Sequence, residues 1–179
     1  MWQDIHASLS AYELTNLALN RPATQSSTSV WSTDQNPEID ARVANNGDVI
    51  SEKYFHTAVE VDPWWQVDLC GLFLVDKIIV YNRHDEKNRL KKFTIIGSDD
   101  NRYWFPIYRK TDDGIFGVFA ANITERRPVR FVRVRLDGPN CLHFRECQIF
   151  GRPANPDGRP LSRLLPGTKL SDLPIESAG

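Results

Sequence analysis

Four polar side chains in the middle of this 179-residue sequence have the chemistry to bind a small polar ligand. They are His56, the pair Arg83 and Asp85 directly after the apolar segment FLVDKIIVYN, and Arg89 in the same loop. A guanidinium donates to neighbouring oxygens in a fork, an imidazole adds one directional donor or acceptor, and a nearby carboxylate can hold an arginine rigid. The residues alone leave two interpretations open, a site for a polyhydroxylated ligand or a solvated hairpin loop with ordinary ion pairs.

The sequence lacks the motifs of the common catalytic and metal sites. Its four histidines occur without HExxH or another metal-ligand spacing, and neither GxSxG nor a Walker motif is present. The adjacent aspartates at 99–100 and 112–113 are typical of turns in a β protein. Nothing selects the opposed carboxylate pair that a glycosidase needs. We therefore predict that the chain is not an enzyme.

The composition is that of one ordinary globular domain. The chain is 41% hydrophobic and 25% charged with a net charge of -1, so we expect no nucleic-acid partner. Cys70, Cys141 and Cys147 lack CxxC spacing and are most simply free thiols, although Cys141 and Cys147 could pair. No signal-peptide pattern is visible, and no segment approaches the ~20 apolar residues of a membrane span. We therefore predict that the chain has no transmembrane segment, and we make no prediction of its cellular compartment.

The elements that must position the polar side chains are predicted to be strands. Small and polar residues alternate at 23–28, and segments rich in β-branched and aromatic residues, bounded by Pro, Gly, Asn or Asp, fall at 64–69, 73–82, 92–97, 103–108, 115–121, 128–136 and 142–151. About eight short antiparallel strands without helical crossovers predict an all-β sandwich or jelly roll. Within 128–136 the arginines at 130, 133 and 135 predict one solvated basic face, with a contact to an anion as the alternative.

The two ends of the chain differ from the middle. Trp2, Ile5, Leu9 and Tyr12 fall at helical spacing, so residues 1–14 are predicted to form a short helix or a linker. Proline and glycine recur every few residues near the other end, which predicts an extended tail over 153–179. Residues 15–152 are left as a single β-sandwich domain.

Five segments of this chain, taken in order, carry a family resemblance. They read ALNRPATQSS, VANNGD, FHTAVEVDPWWQVDL, VYNRHDEKNRL and LHFRECQIFG, and they resemble the F-type (fucose-binding) lectins of the discoidin superfamily. The family's pattern of a His followed after twenty-six residues by Arg-x-Asp is matched by His56, Arg83 and Asp85. The resemblance, which covers residues 16–151, implies a discoidin-like jelly roll. It also implies that the His and two basic residues bind L-fucose or a closely similar sugar.

The resemblance also implies roles for the neighbouring residues. Arg89 takes the place of the second basic residue if the loop is one residue shorter than in the family. Trp31 and Ile50 fall near pocket-lining positions, with plain core packing as the alternative for Trp31. The adjacent cysteine pair that stacks on the sugar in the family is absent, and Glu86-Lys87-Asn88 stand in that loop instead.

The resemblance further implies a structural calcium ion beneath the binding loops. A hard cation of this kind takes six to eight oxygen ligands. The candidate ligands are the side chains of Asn46, Asp48 and Glu146 and the backbone oxygens of Val43, Lys53 and Arg145. Asn46 stands where the family more often has Asp, which predicts weakened affinity. The alternative is a loop closed by ordinary Asn and Asp turn bonds.

These observations predict a lectin-like module whose partner is a fucosylated or related glycan. Two alternatives stay open, a discoidin-type adhesion domain that binds protein or phospholipid and a glycan-targeting appendage of a larger carbohydrate-active enzyme. A monosaccharide binds weakly, so useful avidity requires several copies. We therefore expect either homo-oligomerisation or a place in a larger chain.

Overall fold

The structure is a computed structural model that describes residues 15–155. The predicted N-terminal helix and nearly all of the predicted tail lie outside this range, so the three-part division of the chain stays a prediction. The described strands are β1 (Ala23–Gln25), β2 (Glu60–Val61), β3 (Trp64–Tyr81), β4 (Phe93–Ser98), β5 (Phe105–Lys110), β6 (Val118–Asn122), β7 (Val129–Leu136), β8 (Pro139–Asn140) and β9 (Glu146–Pro153). The helices are α1 (Pro37–Ala41) and two 3₁₀ turns, Arg42–Asn45 and Lys87–Arg89.

All strand pairs are antiparallel, and β3 connects the two parts of the main sheet. Its first half pairs with β1 and β7, and β4 and β5 continue that layer, while its second half pairs with β6 and β9. Two strands were predicted over 64–82, but the structure has one, because the chain bends without ending the strand. At the bend Cys70 has φ +60° and its N–H donates to Asp68, which also accepts a two-bond fork from Arg130 at 2.8 Å. The all-β antiparallel prediction is confirmed.

An aromatic cluster fixes the layer that carries the candidate site. Phe55 and Phe144 meet edge to face with ring centroids 4.7 Å apart, and Trp65 meets Phe144 in the same way at 5.5 Å. All three side chains are fully buried, and the Trp65 indole N–H donates to the carbonyl of Ala41 at 2.9 Å. Because His56 follows Phe55 directly in the chain, this core packing determines where the imidazole can lie.

Of the arginines predicted to form a solvated basic face on β7, Arg130 is exposed, but Arg133 is not freely solvated. The guanidinium of Arg133 lies between two indoles, 4.1 Å from the ring centroid of Trp64 and 3.9 Å from that of Trp104. Its Nε also donates to Gln66 at 2.7 Å. The stacking half-buries the arginine, because a planar guanidinium packs well on aromatic faces.

Candidate functional site

A cleft of about 750 Å³ brings together the four polar residues singled out in the sequence. His56, Arg83, Asp85 and Arg89 all line it. The remaining lining residues come from three loops and are Trp31, Thr33, Glu52, Lys53, Tyr54, His84 and Glu86. The spacing in the sequence thus corresponds to one shared surface, and the loop after β3 faces the segment that carries His56.

A buried carboxylate holds the backbone of His56 in place. Asp40, in α1, accepts hydrogen bonds from the backbone N–H groups of Thr33, Asp34 and His56 and from the side-chain amide of Gln25, at 2.7 to 3.3 Å. Asp40 is fully buried, so these four donors replace the water that it lacks. The result is a rigid junction between α1, β1, the loop before α1 and the segment that carries His56.

The imidazole of His56 has a defined tautomer. Its Nδ1 lies 2.7 Å from the carbonyl oxygen of Thr57, and since a carbonyl only accepts, Nδ1 must carry the hydrogen. The hydroxyl of Ser29 also lies 3.0 Å from Nδ1. Burial lowers the pKa of His56 below its usual 6.5, and the charges of Arg83 and Arg89 lower it further. In the neutral ring Nε2 is therefore a hydrogen-bond acceptor.

The guanidinium of Arg83 is held by the carboxylate of Asp85 and by the aromatic ring of Tyr54. Its Nε and Nη2 donate to the two oxygens of Asp85 at 2.6 and 2.7 Å, and its guanidinium carbon lies 4.7 Å from the ring centroid of Tyr54. The hydrogen bond from Arg83 lowers the pKa of the Asp85 carboxyl. A guanidinium has five N–H bonds, so this geometry leaves three for a ligand. Asp85 therefore positions Arg83.

Arg89 is held less tightly, at the other side of the same loop. Its Nε lies 3.2 Å from the carboxylate of Glu86. Glu86 has a φ of +47° and directly precedes the short 3₁₀ turn that contains Arg89. Its Nη1 donates to the sulfur of Cys141 at 3.7 Å. The Arg89 side chain is 35% exposed, against 14% for Arg83, which indicates a less constrained donor.

The two apolar residues expected near the pocket have different outcomes. Trp31 lines the cleft and is 77% exposed, which excludes the alternative of plain core packing. Ile50 is 81% exposed and is not among the residues that line the cleft. An exposed indole at a polar cleft is an apolar surface on which a ligand can pack.

Three further residues of this region were given no role by the sequence prediction. Tyr54 stacks on Arg83, and His84 accepts a hydrogen bond from Arg145 at 3.0 Å through its Nε2. His143 is almost fully buried, and its ring centroid lies 5.3 Å from that of His56. Burial, together with the nearby Arg83, His56 and Arg89, lowers the pKa of His143 to about 3. Tyr54 and His84 could have been suspected from their proximity to the motif residues, but His143 gave no local signal.

The predicted calcium ligands Asn46 and Asp48 lie in the loop after α1, and the N–H of Gly47 between them donates to Glu146 at the start of β9. Asn46 accepts from the N–H of Asp48 at 2.8 Å, and Asp48 accepts from the N–H groups of Ile50 and Ser51 at 2.9 Å. These turn bonds are the ones that the alternative interpretation expects, and those from Ser51 and Ile50 lower the pKa of Asp48 to about 2.

Glu146, the third predicted side-chain ligand, carries a buried oxygen with no hydrogen-bond partner among the described residues. Its Oε1 accepts from the N–H of Gly47 at 3.1 Å, while Oε2 has no partner. Burial, with a smaller contribution from the negative Asp48, raises the pKa of Glu146 to about 7. An orphaned carboxylate oxygen facing a loop with further oxygens fits a hard cation.

Three solved structures show which proteins share this fold. The lectin domain of lectinolysin complexed with Lewis b antigen is 28% identical, with a TM-score of 0.65 over 77% of this chain and 97% of that chain. A Streptococcus pneumoniae fucose-binding module is 26% identical, with a TM-score of 0.63 over 76% and 98%. A serum fucolectin of striped bass, Morone saxatilis, is 27% identical, with a TM-score of 0.68, and the match covers 78% of this chain and 49% of that chain.

These similarities confirm the predicted discoidin-like sandwich, which is the fold of carbohydrate-binding modules. A comparison with curated protein sequences gave no match. No helix among residues 15–155 is long and apolar enough to cross a membrane. A family model described as the NedA-like, galactose-binding domain matches residues 33–134, which is more than half of the chain. The chain therefore belongs to the family of NedA-like, galactose-binding domains.

Proposed function

We propose that this chain is a lectin-like module that binds L-fucose or a closely similar sugar through His56, Arg83 and Arg89. The observation that carries the proposal is the convergence of these three side chains on one cleft. Its volume of about 750 Å³ is in the range of ordinary ligand pockets, ~300–1,000 Å³. The fucose-binding module and the fucolectin among the similar structures support fucose, although the family name refers to galactose.

The donors and acceptors of the cleft complement a sugar. Arg83 has three uncommitted N–H bonds, and Arg89 still has its Nη2 group after its contacts with Glu86 and Cys141. These groups donate to hydroxyl and ring oxygens. His56 provides the opposite function, since the lone pair of Nε2 accepts a hydroxyl hydrogen. A ligand with neighbouring hydroxyls satisfies both kinds of group at once.

The carboxylates of the cleft support binding rather than catalysis. Asp85 and Glu86 are engaged with Arg83 and Arg89, and the hydrogen bond from Arg83 lowers the pKa of Asp85, which makes Asp85 a poor proton donor. Only Glu52 remains among the acids that line the cleft. Hydrolysis of a glycosidic bond requires two facing carboxylates. We infer that the chain acts by binding.

We also propose a structural calcium ion held by Glu146, Asp48 and Asn46. The orphaned Oε2 of Glu146 and its raised pKa support this proposal, because a cation would supply the missing partner and favour the ionised carboxyl. Val43, Lys53 and Arg145 are the candidate donors of backbone oxygens. The ion would stiffen the loop that leads to Lys53 and Tyr54 in the cleft, without touching the sugar itself.

A glycan array followed by competition tests the sugar proposal. The chain should bind fucosylated glycans, and free L-fucose should displace them more effectively than D-galactose or D-glucose. Vesicles of anionic phospholipid form the parallel arm for the adhesion alternative. Binding to vesicles that fucose does not reduce, with no glycan bound, would favour an adhesion domain and contradict the proposal. Preferential displacement by galactose would show that the site is right but the proposed sugar is wrong. The absence of the cysteine pair would then be the first explanation to test for the changed preference.

A further inference from the structure

Three side chains that can ligate a metal meet beside the cleft. The sulfur of Cys141 and one ring nitrogen each of His56 and His143 lie within 4.8 Å of one another, and all three side chains are buried. Only His56 belongs to the proposed sugar site. We infer that this trio, which we call the His-Cys-His cluster, binds a borderline-soft divalent transition ion such as zinc. An ion bound there excludes the sugar from His56.

The donor set selects the class of ion. One thiolate and two imidazoles suit zinc and its neighbours among the transition metals, whereas calcium takes oxygen ligands. Histidines that ligate zinc commonly donate the other ring N–H to a backbone carbonyl. His56 already makes this bond, from Nδ1 to the carbonyl of Thr57 at 2.7 Å, so Nε2 is the nitrogen available to an ion.

His143 provides a second, independent indication. Its side chain is only 1% exposed, and neither ring nitrogen has a hydrogen-bond partner among residues 15–155. A buried polar group without a partner costs free energy, and native structures contain few of them. Coordination of an ion would satisfy one of these nitrogens. Packing alone gives no reason to place an imidazole here.

The cluster needs only a small closure to reach coordination distances. Zinc bonds of 2.0–2.3 Å put tetrahedral ligand atoms about 3.5 Å apart, so the three atoms must approach by roughly an ångström. The ring of His143 can turn toward an ion without breaking a hydrogen bond. Among residues 15–155 the sulfur of Cys141 has only long contacts, 3.6 Å to Asn140 and 3.7 Å to Arg89.

The charges around the cluster tolerate a cation. Arg83 and Arg89 are positive, but each is paired with a carboxylate, that of Asp85 or that of Glu86. When the sulfur–metal bond forms, the S–H bond of Cys141 breaks and its proton leaves to solvent, so the cluster gains a thiolate. The N–H of Arg89 that contacts this sulfur then stabilises its negative charge.

Exclusion of the sugar follows from the shared lone pair, and this step rests on the proposed function. The Nε2 lone pair of His56 either binds the ion or accepts a hydroxyl hydrogen from the sugar. It cannot do both. Zinc and sugar therefore compete, and each weakens the binding of the other.

Cobalt titration of the full chain, first saturated with calcium, tests the metal site without any sugar. We expect a thiolate-to-cobalt charge-transfer band that saturates at one ion per chain and disappears when zinc is added. Cys70→Ser, which removes the exposed cysteine, is the matched control and should keep the band. Cys141→Ser should lose it, and His143→Gln should weaken cobalt binding by more than about tenfold, since even outer-shell partners matter on that scale. A band that persists in Cys141→Ser, or that vanishes in Cys70→Ser, would overturn the site.

Fucose titrations with chelator or with zinc then test the competition. Zinc should raise the apparent Kd for fucose in the wild type and in Cys70→Ser, but not in Cys141→Ser. If circular dichroism shows that Cys141→Ser is unfolded, His143→Gln decides in its place. A cobalt band without any effect of zinc on sugar binding would refute the competition. If no sugar binds even in chelator, the proposed function fails, and the cobalt spectrum still decides the metal site.

Discussion

Replacement of Arg83 by alanine is the sharpest perturbation of the proposed sugar site. The substitution removes the three uncommitted N–H bonds and the stack on Tyr54, while it should leave the fold intact. The lost pair with Asp85 costs little, because the Asp85 carboxylate is 65% exposed and pairs of this kind contribute about 0–1 kcal/mol to stability. The loss therefore falls on ligand binding rather than on folding.

The expected loss exceeds what a weak site can absorb. A hydrogen bond to a charged donor is worth about 1.5–3 kcal/mol, and 3 kcal/mol corresponds to a roughly 150-fold weaker Kd. A monosaccharide of about eleven heavy atoms, at roughly 0.3–0.5 kcal/mol per atom, binds with only about 3–5.5 kcal/mol. Titration calorimetry with L-fucose should therefore detect no binding to Arg83→Ala.

Lys87→Ala is the matched control for this experiment. Lys87 lies in the same loop with the same charge, but it does not line the cleft. Its structural contact is a backbone carbonyl that accepts from Asn82 at 3.1 Å, which alanine preserves. Fucose should bind this variant as it binds the wild type. Wild-type heats from Arg83→Ala, or equal losses in both variants, would refute the assignment of the site.

Three further predictions concern stability. Millimolar calcium should raise the Tm by several degrees, since a ligand at one hundred times its Kd adds about 2.7 kcal/mol, and Glu146→Gln should abolish the shift. When the pH falls from 7 to 5 in chelator, the free energy of unfolding of the wild type should fall by about 2 kcal/mol more than that of His143→Gln. The reason is that His143 in the unfolded chain binds a proton near pH 6.5, whereas folded His143, with its pKa of about 3, does not. Urea denaturation that gives the same pH dependence for both proteins would contradict this prediction. Gly151→Ala should cost about 1–3 kcal/mol, because a β-carbon there would overlap the carbonyl of Leu74. Gly117→Ala, where the added β-carbon would meet the Nζ of the flexible Lys87 side chain at an ordinary contact distance of 3.9 Å, should change the free energy of unfolding little.

The strands were predictable because side-chain alternation and turn residues are local signals, whereas the bend of β3 was not. The bend requires that the backbone of Cys70 adopt the left-handed conformation, which is unusual for a residue other than glycine. The bend is also stabilised by Arg130, which lies on another strand and donates to Asp68. Helix α1 was missed although its signal is local. Asn36 caps it, accepting from the N–H of Glu38 at 2.9 Å, and Pro37 occupies the first turn.

The candidate site divides in the same way. His56, Arg83 and Asp85 were found because their spacing matches the pattern of the F-type lectins that the sequence resembles. His143 and Cys141 were not, because they reach His56 only through the folding of a segment more than eighty residues away. That segment was predicted to be a strand from 142, but β9 begins at Glu146, and the irregular stretch before it carries both residues. Spacing reveals a site only where the intervening structure is regular.

The two halves of the proposed sugar site differ in rigidity, and this difference predicts a functional consequence. His56 is held by the four donors of buried Asp40 and by the packing of Phe55, so removing Asp40 would strand buried N–H groups at about 1–3 kcal/mol each. Arg83 and Arg89 are held by exposed ion pairs within their own loop, which contribute little to folding. If the proposed sugar site is correct, we expect substitutions in the 83–89 loop to alter which sugar is bound at little cost in stability, while the acceptor provided by His56 stays fixed. This loop, which lacks the cysteine pair of the F-type lectins, is the part of the fold where we expect such a change to be tolerated.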